Sequence, residues 1–175
     1  MCIRDSVQLN LLSKNFRFIN DVGAECEDNA AAEILQLFIG GNETYTGTKT
    51  TLLGRQSNLD LNVGYYCKDE QLLDMNYVAE HIGKKTVSSM NAGGVLRDKA
   101  HKLFRGTIDF PLGSSGAKGD ENEDVLILGE DVINQTVPLI LCAEEDVEGN
   151  HGASIGRPSD DVLFYLASRG LDEEE

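Results

Sequence analysis

The sequence predicts a mostly β protein, a right-handed parallel β-helix (solenoid) followed by the start of a C-terminal helical segment. Three observations lead there. Most of the chain reads as short runs of strand-forming residues separated by Gly, Asn, Asp and Ser. Apolar residues alternate with polar ones in "LDLNVGYY" (Leu59, Leu61, Val63, Tyr65) and again at Leu73, Met75 and Tyr77, the period of a strand with one buried face. Finally, Gly41, Gly64, Gly83, Gly106, Gly129 and Gly149 recur at intervals of 19 to 23 residues, which suggests one coil per interval. No Asn-Gly or Asp-Gly dipeptide joins two strands, which disfavours a hairpin meander.

Taken in order, the expected strands are 7–12, 16–22, 33–40, 59–66, 72–78, 85–91, 103–110, 124–129 and 137–145. "MCIRDS" (1–6) fits poorly with the strand-like residues after it; it reads as a non-native leader and is set aside from the fold. The β-helix core is expected over 7–156. From Pro158 the composition changes. Ser159 is a good N-cap, Asp160 and Asp161 suit the positive end of a helix dipole, Arg169 suits the negative end, and Gly170 supplies a stop. Residues 157–175 are therefore expected to open a helical segment, cut at Glu175.

Lys and Arg number 15 against 30 Asp and Glu, a formal net charge of −15. Such a surface repels phosphate backbones, so neither nucleic acid nor anionic membrane is expected as a partner; basic proteins and metal cations suit it better. No apolar run approaches the ~20 residues that span a bilayer, and no signal peptide is evident. Cys2, Cys26, Cys67 and Cys142 are far apart and form no C-x-x-C pair. Reduced thiols in a cytosol, mostly filling the core, are expected.

Motif searches exclude more than they find. "GSSGAKGDENED" (113–124) holds Lys118, but Gly119 and acids come next, so a loop is expected rather than a phosphate site. His81 is expected to be a hydrogen-bonded structural residue and His101 a surface residue among lysines. The acids are expected to be solvated. His151, in "VEGNHGASIG", lies between small residues that let another group approach. Imidazole suits iron, copper and zinc, but one histidine does not complete a metal site. Neighbouring Glu144, Glu145, Asp146 and Glu148 would favour a protonated ring that cannot ligate. On the residues alone a ligand and a turn residue both stand, with the turn favoured.

The second half, taken together, resembles the SufB/SufD family of iron–sulfur cluster assembly proteins. The likeness rests on "HIGKKTVSSMNAGGVLRDKAHKLFRGTIDF", "GAKGDENEDVLIL", "VPLILCAEEDVEGNHGASIG" and "LFYLASRGL", which occur in the family's order and cover roughly Tyr77 to Leu171. His151-Gly152-Ala153-Ser154-Ile155-Gly156 and Phe164-Tyr165-Leu166 follow the D-type pattern. The resemblance implies a right-handed parallel β-helix and a non-catalytic scaffold subunit in a cytoplasmic complex. It implies a SufB-like partner chain and a SufC-like ABC-type ATPase held through C-terminal helices. A transient iron–sulfur cluster would form at the subunit interface, with His151 as its ligand from this chain. Many D-type chains carry a Cys where this one has Gly149. Competing expectations are a β-helix enzyme, such as a carbohydrate lyase or an acyltransferase, and a purely structural adaptor.

Overall fold

The computed structural model describes residues 3–171. Met1 and Cys2, the first two positions of the leader reading, lie outside the described residues, as do 172–175. The described residues form eleven strands and one helix in order: β1 (Ile3–Leu12), β2 (Arg17–Cys26), β3 (Ala31–Gly40), β4 (Glu43–Leu52), β5 (Asn58–Cys67), β6 (Leu72–His81), β7 (Val87–Arg97), β8 (His101–Phe110), β9 (Ala117–Leu128), β10 (Ile133–Cys142), β11 (Val147–Gly156) and α1 (Asp160–Ser168). Ile3–Ser6, the remaining positions of the leader reading, begin β1 and pair with Ala31–Ile34.

Odd and even strands separate into two sheets, β1-β3-β5-β7-β9-β11 and β10-β8-β6-β4-β2. Every pairing is parallel. The chain thus winds as a parallel β-solenoid in which each coil contributes one strand to each sheet. The coil is longer than the glycine spacing suggests. Register offsets run from 26 residues (Arg17 opposite Glu43) to 32 (His101 opposite Ile133). Glycine spacing fails as a ruler because glycines serve different tasks here. Gly41 has a positive φ, whereas Gly106 sits mid-strand where a side chain would strike Glu121.

The corners stack as well. Asn29, Gln56 and Lys85 share a φ of 56° and form one column of turns; Asp69 and Asp98 do the same at another corner. Asn29 donates its N–H to the Arg55 carbonyl, Gln56 to that of Lys84, and Lys85 to that of Ser115, so each corner bonds to the one above it.

Alternate residues fill the lumen between the sheets. In its middle coils the lumen is apolar, with Leu61, Leu73, Met75, Met90, Phe104 and Ile108 at 2% exposure or less. Two strands lie outside those expected from the sequence. β4 ("ETYTGTKTTL") turns Thr44, Thr46, Thr48 and Thr50 inward, so its alternation is hidden behind a polar residue type. β11 occupies the small-residue stretch that favours a turn on its composition. The expected loop 113–124 is a strand from Ala117 onward, because Gly119, Glu121 and Glu123 occupy inward positions that are usually apolar.

α1 matches its sequence signals. Ser159 Oγ accepts from the Val162 N–H, and Gly170 carries a φ of +92° just beyond the C-cap. Cys26 and Cys67 belong to the core, while Cys142 is exposed at the end of β10.

Candidate functional site at the open end of the solenoid

β11 and β10 end their respective sheets, so each has a strand on one side only among the described residues. An end strand leaves backbone N–H and C=O groups unpaired, a template for another chain. His151 lies in β11, opposite Glu121 of β9. The row it occupies faces the lumen: a Cβ on Gly149, two residues earlier, would lie 3.0 Å from Phe110 and 3.1 Å from Ile140. Both belong to the core or pack against it. Gly152, one residue on, would instead meet Asn122 on the outer face. With no coil above it among the described residues, the imidazole is exposed, not enclosed.

Three of the acids near His151 in sequence have partners of their own. Glu148 is on the outer row and pairs with Lys118 at 2.8 Å. Asp146 accepts from Ser115 Oγ at 2.7 Å. Glu144 accepts from the backbone N–H groups of Gly113 and Glu145, which hold its carboxyl below the usual range.

Beneath His151 lies a polar floor that the sequence does not announce. Lys102, beside the surface residue His101, is fully buried and ion-paired with Glu123. Glu123 also accepts from Thr136 Oγ1 at 2.6 Å and from Tyr65 Oη at 3.4 Å. Burial pulls the Lys102 ammonium downward, against the pull of Glu123, and pushes the Tyr65 phenol upward. Glu121 is 3% exposed, and its Oε2 has no hydrogen-bond partner among the described residues. Burial, and then the charge of Glu123, raise its carboxyl to about 7. The expectation that the acids are solvated thus fails at these two glutamates, because they stand on the inner row of β9. No local signal marks them, because Glu121, Asn122, Glu123 and Asp124 are all polar and show no apolar alternation.

The other two histidines fall where expected. His81 is buried, with Nδ1 2.7 Å from Thr86 Oγ1 and Nε2 2.9 Å from Ser88 Oγ. Its ring lies 4.7 Å from that of Phe110, and burial lowers it to about 4. His101 sits on the outer face beside Gln135, at 3.1 Å. Among the described residues no three His, Cys, Asp or Glu side chains converge as a metal centre, so His151 has no complete ligand set there. No helix of the described residues is long and apolar enough to cross a membrane.

Fold and site together define a class: a two-sheet parallel solenoid whose last described strands each have one neighbour, with a solitary ligand-type side chain on the final inner row. The SufBD core domain of the SUF system for FeS cluster assembly matches residues 5–175, and the chain belongs to this SufB/SufD family. It is 33% identical over 135 residues to the iron-sulfur cluster assembly protein SufD of Bacillus subtilis (strain 168), covering 77% of this chain and 28% of that protein. Against SufD of Escherichia coli (strain K12) the identity is 26%, covering 85% and 35%. Against SufB of Bacillus subtilis (strain 168) it is also 26%, covering 86% and 32%. The chain spans about a third of the length of these relatives.

Proposed function

We propose that this chain is a D-type, non-catalytic scaffold subunit of a cytoplasmic Suf-type complex, and that its open end docks on a SufB-like chain. His151 supplies one ligand to an iron–sulfur cluster that forms transiently in the seam, and the partner and sulfide supply the rest. Here the cluster is cargo under assembly rather than a resident group. A SufC-like ATPase is a further partner of the complex.

The observation that carries this reading is the position of His151. It is exposed, on the lumen-facing row, in a strand with a neighbour on one side only among the described residues. A second chain adding strands to β10 and β11 would satisfy those edges, exclude water and enclose the imidazole. Ligands drawn from two chains can then sum to a coordination set that neither chain holds alone. The higher identity to a SufD than to the SufB of the same organism supports the D-type assignment.

The test is anaerobic co-purification of the full-length protein with a SufB-like chain and the ATPase, then iron and sulfide analysis and a visible spectrum. A stable complex with iron and sulfide in comparable amounts is expected. Failure of the two solenoid chains to associate would refute the pairing.

A further inference from the structure

We propose that Glu121 is a second protein ligand at the open end of the lumen, so that His151 and Glu121 together hold an incoming divalent cation of the Fe2+ type. This rests on the reading of His151 as a ligand and adds a carboxylate to it.

Four observations converge on Glu121. First, it is the register partner of His151, one coil below and on the same inner row; parallel neighbours stand about 4.8 Å apart. Second, its Oε2 is buried without a hydrogen-bond partner among the described residues. A buried polar atom left unsatisfied is costly, and its retention calls for a reason. Third, the cation in the lumen is committed elsewhere. Lys102 serves Glu123, which Thr136 and Tyr65 also engage. Fourth, space has been cleared for this carboxyl. A Cβ on Gly106, across the lumen, would collide with its carbon and both its oxygens.

The polar floor thus contains one carboxyl neutralised by an ammonium and one with no ion-pair partner among the described residues. The latter lies under an accessible imidazole. A mixed nitrogen and oxygen donor pair suits Fe2+, with Zn2+ and Mn2+ as competitors. Two protein groups leave positions for water, for sulfide or for a ligand from the partner chain.

The probe is Co2+, whose d–d absorbance reports inner-sphere ligation, titrated anaerobically into the full-length protein and into its Glu121→Gln and His151→Ala variants. The wild type is expected to bind one equivalent, and each variant to bind at least ~10-fold more weakly. Metal-free thermal melts accompany the titrations. Glu121→Gln keeps the shape and replaces a carboxyl whose charged form burial disfavours with a neutral amide, so it should melt no lower than wild type, and weakened binding could not then be ascribed to unfolding. If Glu121→Gln binds Co2+ as tightly as wild type while His151→Ala does not, the carboxylate role fails and the imidazole role stands. If neither variant weakens binding, both fail. No binding by the wild type would overturn the two-residue site, leaving the imidazole role to be decided by cluster yield in the paired complex.

Discussion

Lys102 and Glu123 form an ion pair sealed inside the lumen, with side chains 0% and 1% exposed. The lysine comes from β8 in one sheet and the glutamate from β9 in the other, so the pair ties the two sheets together near the open end. Removing one member of a buried pair strands the other. Lys102→Met should therefore cost about 3–5 kcal/mol in urea unfolding. The double variant Lys102→Met/Glu123→Leu should recover most of that loss. A single variant within ~1 kcal/mol of wild type would show that the pair is not sealed as described.

His81 makes stability depend on pH in a defined window. Its folded value is about 4, below the unfolded value of 6.5, because burial disfavours the charged ring. Between those values the unfolded chain binds the extra proton, so stability falls as pH drops from 6.5 to 4. The loss reaches about 3 kcal/mol at the lower end. Urea midpoints measured across this window for wild type and for His81→Gln check it, because the variant should lack this contribution to the slope.

Within β4, Thr50 is fully buried and its hydroxyl has no hydrogen-bond partner among the described residues. Thr50→Val keeps the shape and removes an unsatisfied polar group, so it should stabilise by about 1 kcal/mol. A fall in melting temperature would mean that this hydroxyl is bonded in solution.

The corner columns offer an independent check. Gln56 holds a φ of 56°, a region that costs a non-glycine residue about 1–2 kcal/mol. Glycine there would remove that cost while adding flexibility to the unfolded chain. Gln56→Gly should therefore stabilise by roughly 0.5–1 kcal/mol, read as a rise in melting temperature. A lower melting temperature would mean that the glutamine is unstrained at this corner.

These same features explain what is legible in the residues. β5 and β6 can be read because Leu59, Leu61, Val63, Tyr65, Leu73, Met75 and Tyr77 announce an inner row. α1 can be read because caps are local. β4 and most of β9 cannot, since threonines and glutamates hold inner positions that are usually apolar. The coil length is hidden because the corners use Asn29, Gln56, Lys85, Asp69 and Asp98 at positive φ, where glycine would have been the signal. His151 stands out among its small neighbours. Its place on an end strand above Glu121, however, depends on pairing 30 residues away in sequence, which no local pattern records.

The decisive measurement is cluster yield. Iron and sulfide per complex should be compared anaerobically for the full-length wild type and His151→Ala, each paired with a SufB-like chain and the ATPase. The variant changes an exposed side chain, so unchanged melting temperature and complex formation are expected, with iron and sulfide falling at least ~10-fold. Wild-type yield from an intact His151→Ala complex would contradict the assignment of this imidazole to the cluster.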